Sequence, residues 1–244
     1  MEIQKNKDTA QKDKHASRYE FDEYAEGYRD EQVKYYSSFT ADSSEFFAEL
    51  KIQKLAEWFP ELKTKKIDIL DFGCGDGGMT YFINKYLPKA NVFGADPSTE
   101  SIELAQKNYP NNEFKDFNGE IVPYADNSFE LICVAGVFHH IPFEEHNLWL
   151  NELVRILKPG GKVVIFELNP LNPITQHIFN NHPMEKNARM LWPWYARRLF
   201  GKKGKVRTKH YYFFPSALKF LRFLEPFMFW LPFSGLYAVI LEEK

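Results

Sequence analysis

The feature that most constrains this chain is a glycine-rich segment at residues 73–78. A short apolar run from Ile69, interrupted by Asp71, leads into it, and four of the six residues at 73–78 are glycine. Apolar residues resume at helical spacing over 79–83. This order predicts a strand, a tight loop and a helix. Because glycine has no Cβ and tolerates positive φ, such a loop lets a ligand approach the backbone beside the free N–H groups of a helix start.

Strand and helix patterns alternate after this loop. Strands are expected at residues 66–72, 91–95, 113–117, 129–135 and 162–168, with helices at 78–86, at 144–157 and in a segment ending at Tyr109. The 129–135 segment is nearly all apolar, as in a parallel strand covered on both faces. Repeats of this length predict an α/β fold with a doubly wound, mostly parallel sheet.

Composition changes along the chain suggest five parts. We expect a disordered tail at 1–18, a helical lid at 19–60, a ligand-binding core at 61–168, a cap insertion at 169–214, and a closing helix with a β-hairpin around Ser234 and Gly235 at 215–244. The cap is assigned because its sequence is rich in proline and aromatic residues.

Charge and cysteine content limit the function classes. The formal net charge is −2, so a general nucleic-acid-binding protein is not expected. Cys74 and Cys133 are the only cysteines and do not form a disulfide framework. The polar start of the chain has no apolar leader segment, and no run is long enough to span a membrane. We therefore expect a cytoplasmic protein.

The acid in front of the glycines narrows the choice of ligand. A dinucleotide-binding loop directs its helix N-terminus at a pyrophosphate, which a carboxylate at Asp71 would repel. The same carboxylate suits an ammonium or sulfonium cation. Asp96 ends the second strand about 20 residues after the loop, where an acid can accept hydrogen bonds from a ribose. The alternative is that Asp96 only caps the following helix.

Four motifs carry a family resemblance. They are the glycine segment at 71–77, Asp96, the run at 122–132 and the Leu-Lys-Pro-Gly-Gly segment at 157–161. In this order and spacing they resemble the class I S-adenosylmethionine-dependent methyltransferases, in particular the small-molecule branch related to ubiquinone and menaquinone biosynthesis. The resemblance implies a Rossmann-like sheet of seven strands, S-adenosylmethionine as the cofactor and no metal.

The resemblance also implies roles for individual residues. Asp71 would orient the methionine amino group of the cofactor, over a backbone loop formed by Gly73, Cys74, Gly75 and Gly77. Asp96 would bind the ribose, with Pro97 and Ser98 beside the adenine.

Three further cofactor contacts are implied at other points of the chain. Asn118 would contact the adenine amino group, although the family usually has an acid there and Asp116 is a competing candidate. Ala135 would lie near the sulfonium. Tyr28 would reach the cofactor from the lid.

The acceptor is expected beyond the ends of the fourth and fifth strands. His139 and His140 follow the fourth strand, and either one is a candidate base for an acceptor proton. The alternative is that they pack and hydrogen-bond, since methyl transfer needs little beyond proximity and alignment. Glu167 and Asn169 follow the fifth strand and either contact substrate or shape the loop.

The C-terminal part combines positive charge with aromatic residues. No acid lies between Glu185 and Glu225, whereas lysine and arginine are frequent. Three interpretations remain: a packed cap with a solvated basic loop, a cover for an anionic and partly apolar acceptor, or a contact with a membrane surface.

Together these features predict methylation of a small or lipid-linked metabolite, with oxygen favoured as the acceptor atom and a glycosyl or anionic compound as a candidate acceptor. The rivals are an NAD(P)-dependent oxidoreductase and a non-catalytic binding protein with the same fold.

Overall fold

Seven strands form one sheet in the computed structural model, which describes residues 42–117 and 121–243. The strands are β1 (Asp68–Phe72), β2 (Asn91–Asp96), β3 (Glu113–Asp116), β4 (Phe129–Ala135), β5 (Leu157–Leu168), β6 (Gly204–Tyr211) and β7 (Leu236–Glu243). Their order is β3-β2-β1-β4-β5-β7-β6. Strands β1 to β5 pair in parallel, and β7 is antiparallel to β5 and β6. The predicted doubly wound, mostly parallel sheet is confirmed.

Helices cover both faces of this sheet. They are α1 (Ser44–Trp58), α2 (Gly78–Tyr86), α3 (Thr99–Asn108), α4 (His146–Ile156), α5 (Pro173–Asn181) and α6 (Pro193–Phe200). Successive strand residues point to opposite faces. Ile69 accordingly packs with α1 and α2, whereas Leu70 packs with α4 and α6. Because both faces are covered, polar side chains on this sheet can meet ligands mainly at the strand ends.

The predicted β-hairpin around Ser234 and Gly235 is wrong, because β7 pairs with other strands. No hairpin forms within 226–243; β7 pairs instead with β6, which falls inside the predicted cap insertion at 169–214. The connection between them contains a 3-10 segment, Ser216–Phe227. The basic sequence of β6 suggested a solvated loop, but lysine and arginine are common on edge strands, where they discourage further pairing.

Some predictions fall on residues outside the described ranges. They concern Tyr28, Asn118, the tail at 1–18 and the lid over 19–41. Within the ranges that are described, no helix has the length and apolar character needed to cross a bilayer.

Candidate active site

The glycine loop joins β1 to α2 with a strongly bent backbone. Gly73, Gly75 and Gly77 have φ values of 73°, 52° and 84°. A Cβ on Gly73 would overlap the side chain of Val137, whereas a Cβ on Gly75 would meet no atom within 4 Å. The loop therefore packs closely against the segment after β4 at Gly73 and leaves its backbone open at Gly75.

Asp71 lies at the start of this loop and is almost completely buried, with 1% of its surface exposed. Its Oδ2 accepts a hydrogen bond of 2.8 Å from Thr80 Oγ1, whereas Oδ1 meets no donor among the described residues. Burial raises the pKa of Asp71 to about 7, and the Asp96 charge adds to this effect while the Thr80 hydrogen bond opposes it. Asp71 thus offers a buried acceptor that gains from a nearby cation.

Asp96 ties the glycine loop to the next helix. Its Oδ2 accepts from the Gly75 N–H and its Oδ1 from the Ser98 N–H, both at 2.9 Å. Ser98, rather than Asp96, caps α3, because its Oγ accepts from the Ser101 N–H at 3.1 Å. A carboxylate has about four acceptor positions, so these bonds leave capacity for a ligand hydroxyl.

Other predicted cofactor residues surround the same edge of the sheet. Pro97 lies half-buried between Asp96 and the capping Ser98. Cys74 is buried in the loop, and Ala135 is the half-buried last residue of β4. Asp116, the competing adenine contact, is exposed at the end of β3 and accepts from Thr99 Oγ1 at 3.0 Å. Their roles in cofactor binding stay predictions.

A buried charge cluster follows β4 and β5. His139 lies in the 3-10 turn Phe138–His140, and its Nδ1 is 2.6 Å from Glu167 Oε2. Its Nε2 is 3.3 Å from Glu185 Oε2, and His140 Nε2 is 3.7 Å from the same oxygen. Glu167 is 2% exposed, and its Oε1 finds no hydrogen-bond donor in the described part of the chain. The structure thus brings together both predicted histidines and one of the two predicted acceptor contacts.

The two histidines have opposite protonation states at neutral pH. Burial alone would lower the pKa of His139, but the charges of Glu167 and Glu185 raise it to about 10. Burial, together with the charge on His139, lowers the pKa of His140 to about 3. His139 therefore carries a proton and cannot accept another, whereas His140 is neutral but weakly basic.

Sequence reasoning missed two charged residues of this region. Glu185 lies in the 3-10 turn Pro183–Glu185. Burial alone would raise the pKa of its carboxyl, but the charge of His139 outweighs this effect and the pKa falls to about 2. It is the only acid between Glu167 and Glu225, and this isolation in the sequence could have marked it as a candidate site residue. Lys51 of α1 is half-buried. Burial of its amine lowers its pKa to about 8, although the negative charges of Glu167 and Asp71 act in the opposite direction.

Asn169 serves the fold at this edge. It is fully buried, and its Nδ2 donates to the carbonyl oxygens of Pro232 and Ser234, each at 2.7 Å. Its Oδ1 accepts from the Leu171 N–H at 3.1 Å. Both amide hydrogens are thus used to hold the segment before β7. This geometry favours the loop-shaping alternative over the predicted substrate contact.

The residues that form this site lie largely in a segment that matches a known protein family. Residues 70–165 match the family described as "Methyltransferase domain". The chain is 37% identical over 113 residues to a demethylmenaquinone methyltransferase of Chlorobaculum parvum, covering 46% of this chain and 45% of that protein. It is 31% identical over 118 residues to phthiotriol/phenolphthiotriol dimycocerosates methyltransferase 1 of Mycobacterium ulcerans, covering 48% and 42%. The chain thus spans less than half the length of these relatives.

A solved structure extends the likeness beyond the matched domain. The SAM-dependent methyltransferase of Archaeoglobus fulgidus superposes with a TM-score of 0.62 at 14% identity, covering 85% of this chain and 98% of that one. At this identity the likeness concerns the fold.

Proposed function

Because residues 70–165 match the family described as "Methyltransferase domain", we propose that the protein is a class I S-adenosylmethionine-dependent methyltransferase that methylates a hydroxyl oxygen of a small or lipid-linked acceptor. The observation that carries the proposal is the pair of acids, Asp71 and Asp96, on either side of a glycine loop whose backbone is open at Gly75. An oxidoreductase that binds a pyrophosphate at this loop has no use for the buried Asp71 carboxylate.

The residues present fit the cofactor on two grounds. Asp71 Oδ1 is a buried acceptor without a donor in the described ranges, which suits the cofactor's ammonium group. A Cβ at Gly75 would meet nothing, so the loop backbone can be approached there. Asp96 would accept from the ribose, and the Lys51 amine would balance the cofactor carboxylate. When bound, S-adenosylmethionine supplies an electrophilic methyl group on a sulfonium.

The acceptor would lie against the charge cluster after β4 and β5. Glu167 Oε1, Glu185 and His140 offer hydrogen-bond partners for hydroxyl groups, which is the basis for proposing oxygen as the methylated atom. Without a metal ion, the charges of Glu167 and Glu185 raise the pKa of His139 to about 10, so its imidazole would carry a proton and hold both acids in place rather than act as a base. His140 remains the candidate base of the pair.

We infer the class of acceptor from the names of the relatives. Their names concern a demethylated menaquinone and the phthiotriol dimycocerosates, so a lipid-linked or quinol-type acceptor is the first to test. The predicted anionic acceptor is less compatible with a cluster that already holds the two acids Glu167 and Glu185. We also propose a cytoplasmic setting, in line with two buried free thiols.

A membrane contact would bring such an acceptor to the site. Large apolar side chains between residues 218 and 233 are exposed: Leu218, Phe220, Phe223, Phe227, Phe229, Trp230 and Phe233. Phe227 has 74% of its surface in solvent, and the sequence from 186 to 224 adds only positive charge. Exposed aromatics beside basic residues favour the interface of an anionic bilayer.

The primary test measures cofactor binding and turnover separately. Calorimetric titration should show binding of S-adenosylmethionine and none of NADH, and the opposite result would restore the oxidoreductase hypothesis. Quinols, phenols and lipid-linked sugars are then supplied, and S-adenosylhomocysteine is measured. Cofactor binding without product from any acceptor would favour the non-catalytic alternative, and methylation at carbon or nitrogen would contradict the proposed oxygen.

A further inference from the structure

The turn after β4 and the turn after α5 bring three potential metal ligands together. One ring nitrogen of His139, one of His140 and one carboxylate oxygen of Glu185 all lie within 4.8 Å of one another. Glu185 Oε2 is 3.3 Å from the first nitrogen and 3.7 Å from the second. In a tetrahedral site with metal–ligand bonds of about 2.0–2.2 Å, two ligand atoms are about 3.3–3.6 Å apart. The two distances to Glu185 Oε2 are close to this separation. We propose that these three residues bind a divalent transition-metal ion.

The remaining nitrogen of His139 supports this assignment. Its Nδ1 is 2.6 Å from Glu167 Oε2, and Glu167 is buried, so the ring is fixed with Nε2 directed at Glu185. A carboxylate that accepts from the second nitrogen of a histidine is the usual partner of a metal-binding imidazole. The ring of Phe179, 5.8 Å from that of His139 at an interplanar angle of 77°, packs against the same side chain. The hydrogen bond to Glu167 and the packing of Phe179 therefore hold the His139 ring in the orientation that metal binding needs.

The donor set indicates the class of metal. Two imidazole nitrogens and one carboxylate oxygen suit zinc and its first-row neighbours, whereas magnesium and calcium prefer sites made of oxygen atoms. Three protein ligands leave at least one coordination position open, as in catalytic rather than structural zinc sites. The open position would serve an acceptor oxygen, and this consequence rests on the proposed function. Metal binding itself does not, because it needs neither cofactor nor acceptor.

An alternative explanation of the cluster requires no metal. A proton on His139 Nε2 can balance Glu167 and Glu185, which makes the three residues a buried ion pair. The two explanations differ for His140, which adds no positive charge to an ion pair but supplies a ligand to a metal. His140 is also the most accessible member, with 20% of its side chain exposed, so its replacement disturbs the core least.

The test uses the full chain after removal of any affinity tag and treatment with a chelator. Zn²⁺ is titrated in competition with a chromophoric chelator, and Co²⁺ binding is followed by its visible absorption. We expect one equivalent of each ion. His140→Gln and Glu185→Gln should each weaken Zn²⁺ binding by at least about 100-fold, since loss of an outer partner alone costs about 10–100-fold. Glu167→Gln should fall within that smaller range.

His177→Gln is the matched control, because His177 is an exposed histidine of α5. Its affinity for Zn²⁺ should equal that of the unmodified chain. The absence of a stoichiometric site would overturn the proposal, as would affinity left unchanged by His140→Gln in a protein with an unaltered melting temperature. S-adenosylmethionine binding is measured on the same samples, so that failure of the metal site is distinguished from failure of the methyltransferase proposal.

Discussion

Replacing Asp71 by asparagine should stabilise the fold while weakening cofactor binding. Burial raises the pKa of this carboxyl from 3.8 to about 7. Between these values the folded state binds more protons than the unfolded state, so stability falls as the pH rises through this range. Each pH unit is worth about 1.4 kcal/mol, so the ionised form costs about 4 kcal/mol above pH 7. Asparagine removes this cost and keeps an oxygen for Thr80.

The assay is urea unfolding of both proteins at pH 5 and at pH 8, without cofactor. The stability advantage of Asp71→Asn should grow by about 3 kcal/mol between the two conditions. Asp68→Asn is the matched control at the opposite end of β1, where the carboxylate is partly exposed and 3.3 Å from Lys158. Because this variant loses the contact with Lys158, it should not be more stable than the unmodified chain.

The second half of the prediction concerns the ligand. A ligand at 100 times its dissociation constant stabilises a protein by about 2.7 kcal/mol. S-adenosylmethionine should give this gain to the unmodified chain and a smaller one to Asp71→Asn, because a hydrogen bond to a charged group is worth about 1.5–3 kcal/mol. The reasoning is refuted if the variant is less stable at pH 8, or if its advantage is equal at both pH values.

Three further substitutions test other parts of the site. Asp96→Asn should weaken S-adenosylmethionine binding by about tenfold in calorimetry, since the amide can accept from only one of the two loop N–H groups; unchanged affinity would contradict the ribose assignment. Gly75→Ala should cost about 1–2 kcal/mol of unfolding free energy for its left-handed backbone, and Gly73→Ala more, because its Cβ overlaps a neighbour; equal costs would contradict this packing. Serine at both Phe223 and Phe227 should reduce sedimentation with anionic vesicles without lowering the melting temperature, and unaltered sedimentation would exclude this surface.

Local sequence patterns were sufficient for the central part of the fold. The strand, loop and helix around residues 66–86 were predicted because apolar period and glycine spacing are local signals. The start of β5 was harder to predict: the sequence indicated a helix up to residue 157 and a strand from residue 162, yet β5 begins at Leu157 and pairs with Phe129 before the register shifts. A single pairing across the sheet decides this boundary, and no local signal reports it.

The edge of the sheet could not be predicted for a related reason. Gly204–Tyr211 alternates basic and other residues, and its strand character depends on eight residue pairs with an apolar strand about 30 residues later. Glu185 was missed in the same way. Its importance arises from two histidines about 45 residues earlier, and a glutamate in a proline-containing turn shows no local sign of burial.

The charges at this edge of the sheet are difficult to explain by stability alone. Four carboxylates with little exposure, Asp71, Asp96, Glu167 and Glu185, lie at this edge together with two cations, Lys51 and His139. Buried charges cost several kcal/mol each unless paired, and apolar replacements are often neutral or stabilising. An excess of buried negative charge is therefore useful chiefly to a ligand that brings positive charge. A sulfonium with an ammonium group does so at Asp71, and a divalent metal that replaces the His139 proton does so at Glu185, which assigns the two halves of the excess to two different ligands.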